Sequence, residues 1–281
     1  MSRIAARFKA LAAQGRGALI PYLEAFDPDL DTSLALLKAM PAAGADLIEV
    51  GMPFSDPSAD GPVIQLAARR GLKAGATLAG VLKMIAAFRE QDQETPIILM
   101  GYLNPVEAYG HARFCTDAAK AGVDGLILVD LPPEEADILE QPAQDAGLDI
   151  IRLVAPTTSD ERLRYVLSHA SGFVYYVSIT GITGTRTASA DDLQAVLPRL
   201  RAATDLPIAI GFGIRTPEQA ATAAHIADGA VVASALLSTL ADTLDAEGRA
   251  TDQTLPHVLE QIKALAAAVR AKGKTGEKKA G

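Results

Sequence analysis

The feature that most constrains this chain is an alternation. Short apolar runs rich in Val, Ile and Leu are followed, eight times over, by stretches of helical length and pattern. The runs cover 18–23, 46–50, 96–100, 125–130, 149–154, 172–178, 207–210 and 229–233. Their length and β-branched content predict buried strands. Nearly all are apolar on both faces, which a sheet with one solvated face does not tolerate, so parallel pairing under a cover of helices is expected. Helices are predicted at 2–13, 31–43, 63–73, 78–90, 111–121, 133–146 and 253–271. Others open at Thr158-Ser159-Asp160-Glu161 and Thr216-Pro217-Glu218-Gln219, which have capping-box spacing, and at Ser189-Ala190-Asp191-Asp192. The joints echo one another: Ala43-Gly44-Ala45-Asp46, Ala121-Gly122-Val123-Asp124 and Ala146-Gly147-Leu148-Asp149 each end a helix on Gly just before a strand.

Eight such units within 281 residues predict an α/β fold: a single (β/α)₈ TIM barrel over residues 1–271 with extra N-terminal and C-terminal helices, and a disordered basic tail at 272–281. An open doubly wound sheet would want a Gly-rich first turn, and the turn after Leu23 has no glycine. The net charge of -8 argues against nucleic acid as a partner, and no apolar run is long enough to span a bilayer. Cys115 is the only cysteine, so no disulfide can form within the chain; a cytoplasmic location is expected.

Barrel enzymes place their chemistry at the C-terminal ends of the strands. That rule selects Tyr22, Glu49, Met100, Tyr102, Asp130, Tyr175, Gly211 and Ser234. Lys is missing from these ends, which disfavours Schiff-base chemistry. His111, His169, His225 and His257 all fall on predicted helices or their ends, so a metal site is not expected. Glu49 sits near the end of an apolar run, and Asp60 lies in the loop that follows, stiffened by Pro53 and Pro57. Two carboxylates in unequal surroundings can divide acid and base work. The competing reading is that Glu49 pairs with an arginine and Asp60-Gly61 is only a turn. Tyr22, Tyr102 and Tyr175 are either core aromatics or ligand contacts, and Asp130 is read as a cap for the loop after its strand.

Three late loops are suited to a phosphate: Thr180-Gly181-Ile182-Thr183-Gly184-Thr185, Gly211-Phe212-Gly213-Ile214, and Ala233-Ser234-Ala235 at a helix start. Glycines let backbone N–H groups approach an anion, and a helix N-terminus adds partial positive charge. Arg186 and Arg215, close by in sequence, are read as solvated surface.

These motifs resemble one family. Ile48-Glu49-Val50-Gly51-Met52-Pro53-Phe54-Ser55-Asp56-Pro57-Ser58-Ala59-Asp60-Gly61 is similar to the signature of the tryptophan synthase alpha subunit. Met100-Gly101-Tyr102-Leu103-Asn104-Pro105, Asp130-Leu131-Pro132, Gly181-Ile182-Thr183-Gly184 and Gly211-Phe212-Gly213-Ile214 resemble its other motifs, in the family's order. The resemblance implies cleavage of indole-3-glycerol phosphate into indole and glyceraldehyde 3-phosphate. It implies Glu49 as acid/base, Asp60 at the indole N–H, and Tyr22, Tyr102, Tyr175 and Thr183 around the substrate. Gly184, Gly211, Gly213 and Ser234 would hold the phosphate. It also implies no cofactor in this chain, and a beta-subunit partner that carries pyridoxal phosphate in an alpha2beta2 tetramer. Two positions depart from the family pattern. Ser58 replaces a usually apolar residue, with altered loop packing or partner signalling expected. Ala233 replaces a usual glycine, with crowding of the phosphate or a shifted backbone expected. The rival functions are a stand-alone lyase that releases free indole and a non-catalytic subunit that senses a phosphorylated ligand.

Overall fold

The computed structural model describes residues 2–177, 190–211 and 213–271. The strands among these are β1 (Ala18–Glu24), β2 (Ile48–Gly51), β3 (Ile97–Gly101), β4 (Gly125–Leu128), β5 (Asp149–Ile150), β6 (Arg152–Val154), β7 (Val174–Val177), β8 (Ile208–Gly211) and β9 (Gly229–Val232). The helices are α1 (Arg3–Ala13), α2 (Leu30–Ala43), α3 (Pro62–Lys73), α4 (Leu78–Arg89), α5 (Leu103–Tyr109), α6 (His111–Ala121), α7 (Asp137–Ala146), α8 (Asp160–Ser168), α9 (Ala190–Ala203), α10 (Pro217–Ile226), α11 (Ser234–Asp242) and α12 (Thr254–Ala271).

Every strand pairing is parallel, in the order β5-β4-β3-β2-β1-β9-β8-β7-β6. β5 and β6 are the two halves of the predicted strand 149–154, so the ring closes on itself through Ile151 and the expected eight-stranded barrel is formed. Alternation along each strand sorts the core. Leu19, Leu23, Ile48, Val50, Ile97 and Leu99 face the helices. Ile20, Leu47, Ile98, Ile127, Phe173 and Val231 fill the barrel interior. Ile4, Phe8 and Leu11 of α1 join that interior cluster, with the Phe8 and Phe173 rings 5.7 Å apart, so α1 plugs the N-terminal end of the barrel. The open end is the one carrying the strand C-termini.

The glycine joints behave as their spacing predicts: Gly44, Gly122 and Gly147 each adopt positive φ at a helix C-cap. The Thr216 box is complete, with both reciprocal bonds to Gln219. The Thr158 box is not. Ser159 caps α8 by accepting from the Arg162 N–H, while Thr158 Oγ1 turns back to the Ala155 N–H. The adjacent serine competes for the same role and wins it. The helix predicted over 133–146 starts as a 3₁₀ turn at Pro133–Glu135 and becomes α-helical only from Asp137. α5 is not among the predicted helices; Pro105 falls in its first turn, where the missing N–H does no harm. The tail at 272–281 lies outside the described residues. Among those described, no single helix is long and apolar enough to cross a membrane.

Candidate active site

Glu49 is set by β2. In register it pairs with Tyr22 of β1 on one side and Ile98 of β3 on the other. Its side chain therefore shares the inner face of the barrel with the residues that line it. It is 1% exposed, and no group among the described residues bonds either of its carboxylate oxygens. Burial alone pushes its pKa up to about 8. Among the described residues no arginine pairs with it, and with its pKa pushed up to about 8 the carboxyl keeps its proton at neutral pH.

Asp60 is set by the loop after β2. A turn bonds its N–H to the Pro57 carbonyl at 3.1 Å. Its backbone carbonyl accepts from the Gln65 side chain at 2.8 Å. The Tyr102 hydroxyl donates to its Oδ2 at 3.0 Å and accepts the Ala59 N–H at 3.0 Å, so one phenol clamps the loop at two points. Burial raises the Asp60 pKa, and the Tyr102 bond holds it down in part. Tyr102 itself stands just after β3, its ring tilted against Phe54 with centroids 5.3 Å apart. Met52, Phe54, Met100, Tyr102 and Val129 form apolar walls of a cleft that also exposes Tyr22, Glu24 and Asp60.

Tyr22 and Tyr175 are buried on the inner face, and burial raises the pKa of both; Glu24 and then Asp60 add to it at Tyr22, with Glu49 the smallest contributor there, and Glu49 adds to it at Tyr175. The structure thus gathers Glu49, Asp60, Tyr22, Tyr102 and Tyr175 at one end of the barrel. Gly211, at the end of β8, leaves room for the Tyr175 hydroxyl, which a Cβ there would strike. Gly213 has φ +79, a conformation that favours glycine. Ser234 is the first residue of α11, an exposed helix start with no side-chain cap. The start of a helix of this kind suits an anion, although the Leu236 N–H is already bonded to the Ala233 carbonyl at 3.0 Å. Thr183, Gly184 and Arg186 lie outside the described residues.

One reading changes, and the two departures from the family pattern can be placed. Asp130 does not cap the loop after its own strand: its Oδ1 accepts the Leu103 N–H at 2.8 Å, at the start of α5 across the barrel rim. The Ala233 methyl joins an apolar cluster with Tyr22 and Leu237 at φ -117, which needs no glycine. Ser58 is exposed at the tip of the carboxylate loop. One residue was missed. Glu24, the last of β1, is 3% exposed and lines the cleft beside Tyr22 and Asp60. The signal was available, since Glu24 closes the apolar run 18–23 much as Glu49 stands near the end of its own. Among the described residues, no group of three His, Cys, Asp or Glu side chains could hold a metal ion.

The family model described as tryptophan synthase alpha chain matches residues 8–270. The tryptophan synthase alpha chain of Gluconacetobacter diazotrophicus is 76% identical over 270 residues, covering 96% of this chain and 98% of that one. That of Gluconobacter oxydans is 70% identical, covering 96% and 100%. Among solved structures, tryptophan synthase subunit alpha from Legionella pneumophila superimposes with a TM-score of 0.88 at 40% identity, covering 97% of this chain and 100% of that one. A Mycobacterium tuberculosis tryptophan synthase structure does so with 0.86 at 37%, covering 96% and 98%. With its barrel and these matches along nearly its whole length, the chain belongs to the tryptophan synthase alpha chain family.

Proposed function

We propose that Glu49 is the general acid/base and Asp60 the charge-stabilising carboxylate of the family's lyase reaction, the retro-aldol cleavage of indole-3-glycerol phosphate. The observation that carries this reading is Glu49: a buried carboxyl on the inner face of the barrel beside Tyr22, with no bonding partner among the described residues and a pKa pushed up to about 8. Indole is a poor leaving carbon until its C3 is protonated. Glu49 delivers that proton, and Asp60 accepts a hydrogen bond from the ring N–H as positive charge develops there. The Glu49 carboxylate then takes the proton of the adjacent glycerol hydroxyl. The C–C bond breaks, its electrons restore the aromatic ring, and the hydroxyl carbon becomes the aldehyde of glyceraldehyde 3-phosphate. Glu49 ends protonated, ready for the next turn.

Positioned acid/base catalysis of this kind supplies about 10²–10⁴-fold. Orientation supplies much of the rest. In this reading the phosphate is held by the first turn of α11 with Ser234, by the Gly211 and Gly213 loop, and by the Thr183-Gly184 stretch. Tyr22, Tyr102 and Tyr175 line the ring. The chain works without a cofactor of its own. Its partner is a beta subunit that carries pyridoxal phosphate and receives the indole, in an alpha2beta2 tetramer; a cytoplasmic location goes with this role.

The test is indole release from indole-3-glycerol phosphate, with and without a beta subunit, beside Glu49→Gln. The chain contains no tryptophan, so indole fluorescence reads out against little background. Release that is lost in the variant and rises with the partner supports the reading. No release from the folded chain in either setting overturns it. Release that ignores the partner leaves a stand-alone lyase.

A further inference from the structure

The reaction just described gives no task to Glu24. It pairs in register with Gly51, as Tyr22 pairs with Glu49, so positions 22, 24, 49 and 51 share one face of β1 and β2. Gly51 has no side chain, and its neighbours occupy the vacated space: a Cβ at 51 would strike the Tyr22 hydroxyl and the Glu24 Oε2. The Tyr22 hydroxyl donates to that Oε2 in a short hydrogen bond. The other charged groups around Glu24 are Asp60, from the loop after β2, Asp27, from the loop after β1, and Arg70 of α3. Arg70 is engaged by Asp27 through two bonds of 2.6 and 2.8 Å. Glu24 is therefore bonded to a phenol rather than to a cation, and burial pushes its pKa up to about 8. Meanwhile the Tyr22 side chain packs with Ile64 and Ala67 of α3 and Leu237 of α11. The tyrosine thus spans from the carboxylates to the helix whose N-terminus carries Ser234.

We propose that Glu24 is a positioning residue: by pinning the Tyr22 phenol over Gly51, it fixes the Tyr22 ring as a wall of the cleft against which the indole ring of the substrate is aligned. This rests on the lyase reading above. A buried carboxyl is an expensive way to fill space; a fixed, desolvated acceptor for one phenol accounts for its placement.

The test is steady-state indole release with the beta subunit present, for the unmodified chain, Glu49→Gln, Tyr22→Phe, Glu24→Ala, Glu24→Gln and the Tyr22→Phe/Glu24→Ala pair. Losing the hydrogen bond should raise KM for indole-3-glycerol phosphate roughly threefold to tenfold in Tyr22→Phe and in Glu24→Ala, with kcat changed far less. The double variant should be no worse than either single one, because both remove the same interaction. Glu24→Gln keeps an acceptor for the phenol and should recover most of the lost KM. Additive effects, an unmoved KM in the single variants, or a Glu24→Gln as impaired as Glu24→Ala would overturn the proposal. Where Glu24→Ala fails to fold, adding Glu24→Gln to Tyr22→Phe decides: no further change in KM supports it, and a further rise overturns it. A chain that turns over and depends on Glu49 but fails these arms loses only the role of Glu24. A chain without turnover loses the lyase reading, and this proposal with it.

Discussion

The two ends of the barrel mostly treat their carboxylates in opposite ways, with Asp27, held by Arg70 in the loop after β1, as the exception at the open end. At the plugged end, Asp46, Asp124 and Asp228 each stand just before a strand, and each accepts the N–H of a residue in a neighbouring strand: Leu19 at 2.9 Å, Ile97 at 2.8 Å and Ile208 at 2.8 Å. Each also meets an arginine. Asp46 takes two bonds of 2.8 Å from Arg16, Asp124 is bonded by Arg3 and Arg89, and Asp228 by Arg201. At the open end, Glu49 has neither a cation nor a bonded N–H among the described residues, and Glu24 and Asp60 are bonded by tyrosines. A buried carboxylate with an arginine and a backbone donor is a staple. A buried carboxyl without them keeps its proton and can pass it on. In the proposed reaction, the chemistry follows from what the fold withholds from Glu49.

The largest effect that separates the two ends should come from Glu49→Gln. Indole release should fall by about 10²–10⁴-fold while the protein stays folded, measured by rate alongside a thermal melt. Equal loss of activity and of folding would make Glu49 a staple after all. Asp124→Ala should do the reverse. It strands Arg89, which is itself buried, and removes the acceptor of the Ile97 N–H, at a cost of about 3–5 kcal/mol in stability. Activity per folded molecule should persist; a urea titration and an active-site assay on the same sample decide it.

The pH dependence sharpens the contrast. Glu49 and Glu24 are raised from the ordinary glutamate value of 4.5 to about 8. Between those values the folded chain binds more protons than the unfolded one. Stability from these groups is therefore fully present below pH 4.5 and is lost as pH rises towards 8. Tm measured from pH 5 to 9 should fall less steeply in Glu49→Gln than in the unmodified chain. The same proton sets activity: kcat/KM should fall about tenfold per pH unit above roughly pH 8, where the donor is lost. A flat profile across that range would separate Glu49 from the proton transfer. The smallest effect is at Tyr102→Phe, which frees Asp60 and Ala59 from one clamp. A loss of about tenfold or less in kcat/KM is expected, with Tm nearly unchanged.

How the site was legible in the sequence follows from the same division. Glu49 stood out because a carboxylate in an apolar run is costly, and Asp60 because its loop is stiffened by two prolines. The identical argument at Glu24 went unused. Asp46 and Asp124 were visible as a repeated joint, yet nothing local told a staple from an acid. That distinction depends on Arg16, Arg3 and Arg89, which arrive from other elements. Asp130 illustrates the same limit: its cap reaches to Leu103, a residue 27 positions away. The Thr158 and Thr216 boxes have equal spacing, and only the presence of Ser159 beside Thr158 divided them.

The sequence by itself determined the barrel. Strand and helix periodicity, helix-stopping glycines and strands apolar on both faces are local or additive signals, and they leave few ways to bury the apolar surface. It also marked which end would carry chemistry, because strand direction follows chain direction. Only the tertiary structure decided which carboxylates hold a proton. A pKa is set by what surrounds a group in space, and in a barrel those surroundings come from strands and helices far apart along the chain.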